Sequence, residues 1–139
     1  MRILGLDVGD KRIGVAMSDP EEILASPLAT ISRDDDNKTI DAILELANKN
    51  GVHKIVVGVP YSMSGEIGIQ ASKVMAFVAK LSQSIKIDIE TWDERLSTVA
   101  AQRLMAEANS RGKAARLRRD AAAAAFILQG YLDSLKVSR

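Results

Sequence analysis

The sequence predicts an α/β fold: one mixed five-stranded sheet, three antiparallel strands plus two parallel ones, with helices on both faces. Three observations carry this. Short apolar runs separated by turn residues open the chain before any helical periodicity begins. Later apolar runs are separated by stretches with the i, i+3, i+4 spacing of amphipathic helices, so they can join the sheet in parallel. One of these runs, His53 to Pro60 (HKIVVGVP), is the continuous β-branched type expected of a central strand covered on both faces.

The elements follow in order. Ile3 to Val8 and Arg12 to Met17 read as two strands joined by Gly9-Asp10-Lys11, since Gly tolerates positive φ and Asp bonds to nearby backbone. Asp7 is the odd residue, because an acid in a buried strand is costly unless paired, hydrogen-bonded or bound to a metal. Gly5 and Gly9 share its strand face, which reads as space cleared for something to approach the carboxylate. The plainer alternative is an Asp that hydrogen-bonds its own turn. Ala25 to Ile31 is a third strand, with Pro27 indicating an edge. Asp34, Asp35 and Asp36 read as a solvated loop feeding a helix N-cap rather than a metal cluster.

The first helix is expected over Asn37 to Asn50, with Ile40, Ile43, Leu44 and Ala47 as its stripe. The central strand follows. His53 at its entrance reads as a surface residue. The loop Tyr61 to Gly68 leaves that strand's C-terminal end, where open α/β sheets tend to bind ligands. Its glycines fit either close approach of a phosphate or an ordinary turn. A second helix, Ile69 to Ser82, buries Ala71, Val74, Met75, Val78 and Leu81. Ile85, Ile87 and Ile89 alternate with polar residues, which predicts an edge strand ending at Thr91-Trp92-Asp93-Glu94-Arg95. Ser97 or Thr98 caps a third helix, Val99 to Asn109, with Leu104 and Met105 inward. The last helix is expected from Asp120 to Leu135, with Ala124, Ile127, Leu128, Tyr131 and Leu135 on its apolar face. Asp120 lies one turn before Ala124, so it points along that face; its plain reading is an N-cap.

Bulk properties narrow the function classes. The 139 residues suffice for one domain, spanning 1–139, with a sizeable core. Lys plus Arg number 19 and Asp plus Glu 18, a net charge of +1, so only the distribution of charge bears on partners. There is no Cys, which excludes thiolate metal sites and fits a reducing cytosol. The single His53 nearly excludes His-clustered metal sites and His-based triads. No run approaches the roughly 20 apolar residues that span a bilayer, and no signal-peptide pattern opens the chain. Charge is segregated in one place: Asn109 to Arg119 holds Arg111, Lys113, Arg116, Arg118 and Arg119 and no acid. That is the footprint of phosphate-backbone contact; the alternative is a solvated loop. Asp7, Asp93 or Glu94, and Asp120 all sit at element ends that can converge. Converging carboxylates without His suit Mg2+ or Mn2+, and two such ions cleave phosphodiesters.

GLDVGDKRIGVAMSD, VVGVPYSMSGEIG, DERLST and RRDAAAAAFILQGYLD, in that order, resemble the successive motifs of the YqgF/RuvX family across nearly the whole chain. The resemblance implies an RNase H-like fold and a cytoplasmic nuclease acting in 5′-end maturation of pre-16S rRNA during ribosome biogenesis. It maps the family's acids onto Asp7, Asp93, Glu94 and Asp120, with Asp7, Glu94 and Asp120 as metal ligands. The candidate nucleic-acid contacts are Lys11, Arg12 and Arg95 together with the five cations of the basic stretch. The partners implied are structured RNA, branched DNA and ribosomal precursor particles, with no membrane. Junction resolvases of related fold carry a glutamate near the end of the fourth strand; here the region reads Gly58-Val59-Pro60, so the DER acids must fill that role. Two rivals remain: a nucleotide-dependent phosphotransferase, which would need a second lobe, and a non-catalytic RNA-binding module of the same fold.

Overall fold

A computed structural model describes residues 1–62, 64–96 and 112–138, with the side chains at 113, 114, 116, 137 and 138 set aside. Strand β1 (Arg2–Val8) turns into β2 (Arg12–Ser18), and β2 continues to β3 (Ala25–Ser32). The Gly9 N–H donates to the Arg12 carbonyl at 2.9 Å and closes the first turn. After helix α1 (Asp36–Lys49), β4 (Val52–Val59) pairs parallel with β1. After α2 (Ile69–Ser84), β5 (Asp88–Asp93) pairs parallel with β4. The sheet order is β3-β2-β1-β4-β5, with antiparallel pairing only among the first three strands. The mixed five-stranded sheet is thus the expected one, with Pro27 on an edge strand.

Alternation along the strands builds two cores. Leu4, Leu6, Val8, Ile13, Val15, Ile55 and Val57 pack beneath α1 and α2. Ile3, Ala16 and Val56 face the other way, under Ala124, Ile127, Leu128, Tyr131 and Leu132 of the last helix, α3 (Lys113–Ser138). The far half of α3 is pinned by polar contacts as well. Lys54 Nζ donates to Tyr131 Oη at 3.1 Å, and that hydroxyl donates to Glu90 at 2.7 Å. The acid run behaves as a helix start: the Asp35 carboxylate accepts the Asn37 N–H at 2.8 Å, and Asp36 pairs with Arg33 and Lys80, each at 3.0 Å. Among the described residues, no helix is long and apolar enough to cross a membrane.

Three elements differ from the sequence expectation. Strand β5 begins three residues later than the isoleucine alternation indicates, because Ile85 is drawn into the core as the residue closing α2, its N–H donating to the Leu81 carbonyl at 3.1 Å. The strand therefore ends on Asp93, and Glu94 opens a 3-10 turn, Glu94–Leu96. On α2, Met75 of the expected stripe is 37% exposed, while Phe77 is buried. Helix α3 begins at Lys113, well before Asp120. Cations at a helix start oppose the helix dipole, which is why the sequence places the start at the acid. Docking overrides that penalty: Ala115 is buried, and the Thr30 hydroxyl donates to the Leu117 carbonyl at 2.7 Å. Asp120 is therefore two turns inside a helix and caps nothing, and the basic stretch from Lys113 onward is helical rather than a loop. The expected helix Val99 to Asn109, its cap at Ser97 or Thr98, and Arg111 lie outside the described residues.

Candidate active site

The site grows from a row of small residues around one acid. Asp7 lies opposite Gly14 of β2, and Gly58 of β4 stands one position beyond the Leu6–Val57 pair on its other side. A mid-strand glycine marks close approach of another backbone or a ligand. Here the approaching group is α3. A methyl group on Gly14 would overlap the Asp120 carbonyl, and one on Gly58 would stand 2.5 Å from Ile127 Cδ1 and 2.8 Å from Glu94 Oε1. Gly14 and Gly58 were missed from the sequence; the signal was a lone glycine inside each apolar strand. Gly5 and Gly9 do not clear space for a ligand as expected. A Cβ on Gly5 would lie 2.7 Å from Leu128 Cβ, so it seats α3, and one on Gly9 would meet the Arg12 carbonyl at 2.7 Å, so it serves the turn.

The close helix buries the acids. Burial, and then repulsion from Asp120, pushes the Asp7 carboxyl from its ordinary 3.8 to about 6. Burial, and then repulsion from Asp7 and Asp93, pushes Glu94 from 4.5 to about 7. Asp7 thus does not behave as an acid satisfied by its own turn. The sequence neighbour of Glu94 behaves oppositely: Asp93 is drawn to Arg95, whose Nη2 lies 2.6 Å from Oδ2, and hydrogen bonds from Arg95 hold its carboxyl below the usual range. The structure therefore separates the two DER acids, with Glu94 turned toward Asp7 and Asp93 engaged by Arg95. The side-chain space missing at Gly58 is where the Glu94 carboxylate stands.

The predicted cations are less free than the sequence indicates. Arg12 Nε donates to Asp120 Oδ2 at 2.6 Å. Arg95 also donates to the Ser62 carbonyl at 3.2 Å and lies 5.6 Å from the Tyr61 ring centroid, so it braces the loop after β4. Lys11 is exposed at the β1–β2 turn; on α3, Arg118 is exposed and Arg119 half-buried. The side chains of Lys113 and Arg116 lie outside the described residues.

Among the described residues, no three Asp, Glu, His or Cys side chains are gathered as a metal-holding group. Asp120 is bonded to Arg12. The donor set still fits a hard divalent cation. Asp7 and Glu94 offer oxygen alone, are desolvated, and carry a repulsion on Glu94 that a dication would relieve.

A sequence profile described as "RuvX: Holliday junction resolvase" matches residues 1–134. The chain belongs to the RuvX family. Within reach of it by sequence, a Desulforamulus reducens protein named "Putative pre-16S rRNA nuclease" is 50% identical over 135 residues, covering 96% of this chain and 98% of its own. A Clostridium acetobutylicum protein of the same name is 47% identical, covering 97% and 100%. Among solved structures, Thermus thermophilus RuvC in complex with Holliday junction substrate superposes with a TM-score of 0.60 at 11% identity, covering 98% of this chain and 96% of that one. The fowlpox virus resolvase complexed with Holliday junction DNA gives 0.57 at 12%, covering 97% and 99%. At those identities the likeness is one of fold, and it matches the RNase H-like architecture expected of a RuvX chain. As a RuvX member the chain is a nuclease, a hydrolase of phosphodiester bonds.

Proposed function

We propose that this chain is a Mg2+- or Mn2+-dependent nuclease of ribosome biogenesis that cuts structured RNA at the 5′ end of pre-16S rRNA in the cytoplasm. The observation that carries the reading is the Asp7–Glu94 pair: two desolvated carboxyls of raised proton affinity beside a glycine-lined strand row. The names of the relatives at about half identity support the rRNA substrate. Asp7 and Glu94 would hold the metal, with Asp120 as its third carboxylate. The ion supplies positive charge at the scissile phosphate and a more acidic water. The raised proton affinity of Glu94 belongs to the metal-free chain; a bound dication would hold it as the carboxylate. Arg95 turns Asp93 aside and steadies the loop after β4. Lys11 at the first turn and Arg118 on α3 meet backbone phosphates, contacts that position the substrate without reading its sequence. Specificity then comes from RNA shape or from the precursor particle.

The deciding experiment is a cleavage assay with Mg2+ or Mn2+ on three substrates: a pre-16S 5′ fragment, an unrelated single-stranded RNA and a four-way DNA junction. Preferred cutting of the precursor is the expected result. Preferred cutting of the junction assigns the chain to recombination instead. RNA binding without cleavage, unchanged in Asp7→Asn, assigns a non-catalytic binding module.

A further inference from the structure

The Arg12–Asp120 pair is a bond that the proposed chemistry does not need and that holds one of its three acids. The two residues are 108 positions apart, so the contact exists only in the folded chain. It is made through Nε alone, at 2.6 Å, with Arg12 34% and Asp120 25% exposed. Among the described residues Arg12 makes no other side-chain hydrogen bond or ion pair. The backbone at Asp120 has no freedom to shift toward β2, because its carbonyl already fills the space above Gly14. The carboxylate alone can turn. Asp120 is within electrostatic reach of Asp7, yet the acids do not form a metal-holding group.

We propose that Arg12 is a substrate-released latch on Asp120: it holds this carboxylate away from the metal until a backbone phosphate takes the guanidinium, and Asp120 then completes the metal site. The inference rests on the reading of Asp7, Glu94 and Asp120 as ligands. Partly exposed ion pairs are weak and this one uses Nε alone, whereas a backbone phosphodiester, with the same single charge as a carboxylate, offers arginine a bidentate partner, so the exchange runs in the required direction. Its consequence is reciprocal coupling: nucleic acid tightens metal binding by the factor by which metal tightens nucleic-acid binding. Arg12 is on this account a positioning residue whose loss improves metal binding in the free protein, the opposite of what a merely structural role would do.

The test is Mn2+ affinity of the full chain, read by calorimetry without nucleic acid. Arg12→Gln is expected to bind Mn2+ at least about five-fold tighter than the parent, the lower end of common coupling strengths. That gain is expected to vanish in an Asp120→Asn background. No gain, or an equal gain in both backgrounds, overturns the latch, since the latter is a plain charge effect. If Arg12→Gln does not fold, the parent chain decides: a short phosphorothioate oligonucleotide, which resists hydrolysis, must raise its Mn2+ affinity, and an unchanged affinity overturns the proposal. Asp7→Asn separates the two levels. If it leaves Mn2+ binding intact, the ligand assignment itself has failed; if it abolishes binding while Arg12→Gln shows no gain, only the latch has failed.

Discussion

The two faces of the sheet are built from the same strands and from opposite materials. Toward α1 and α2, the strands present Leu4, Leu6, Val8, Ile13, Val15, Ile55, Val57 and Val59, every one aliphatic and buried. Toward α3, the residues in between are Gly5, Asp7, Gly14, Ala16 and Gly58, with Ile3 and Val56 toward the strand starts. The first face maximises buried apolar surface, worth about 25 cal/mol per Å2. The second gives up side-chain volume. The reward is proximity: α3 descends until its backbone touches Gly14, and the alanine run Ala121 to Ala125 lets it do so. A helix set that close strips water from Asp7 and brings Asp120 within its field. One face thus holds the molecule together, while the other spends packing on raising the proton affinity of an acid.

If that division is right, changes on the two faces separate activity from stability. The largest effect belongs to the acids. Asp7→Asn and Glu94→Gln are each expected to lower cleavage by about 10³-fold, or ~4 kcal/mol of barrier. Asp93→Asn, whose side chain is already committed to Arg95, should cost about ten-fold, in the range of groups that orient ligands. Steady-state rates on one RNA substrate check the ranking, and equal losses at Asp93 and Glu94 would break it.

Next come the packing changes. Ile43→Ala, on α1 under the aliphatic face, should cost about 2–5 kcal/mol in denaturant unfolding and leave the rate of the folded enzyme near normal. Gly14→Ala should cost at least as much, about 3 kcal/mol or more, because its methyl meets helix backbone, and should also reduce cleavage strongly, because the methyl displaces Asp120. The comparison fails if Ile43→Ala harms the rate more than Gly14→Ala does.

The pH dependence sharpens the same contrast. Asp7 has a folded value of about 6 against an ordinary 3.8. Between those values the folded chain binds more protons than the unfolded one, so this group lowers stability as pH rises and its penalty is complete above about pH 7. Asp7→Asn removes the penalty. The variant should match the parent below the unfolded value of 3.8 and exceed it by about 3 kcal/mol above neutrality. Thermal melts across pH without divalent ions check this; a gap that stays constant would mean that Asp7 is not the desolvated acid described. Added Mn2+ should narrow the gap, since the ion stabilises only the parent. The smallest effect lies outside both cores: Arg118→Gln should reduce the salt slope of RNA binding by about one unit, similarly for unrelated sequences. An unchanged slope places the phosphate path elsewhere.

Local patterning in the sequence was enough for strands, the first two helices, the Asp35 cap and both sheet edges, because alternation, helical stripes and capping chemistry act over a few residues. The ordered acidic motifs likewise pointed to Asp7, Asp93, Glu94 and Asp120, with the choice between Asp93 and Glu94 left open. What the folded chain alone decided were relations between distant residues. Lys113 rather than Asp120 opens α3, since burial of Ala115 and the Thr30–Leu117 bond outweigh unfavourable charge at the helix end. Glu94 rather than Asp93 stands by Asp7, since Arg95 claims the acid beside it. Arg12 meets Asp120 across 108 residues because Gly14 lets α3 settle on β2, and no pattern shorter than that separation encodes where a helix lands.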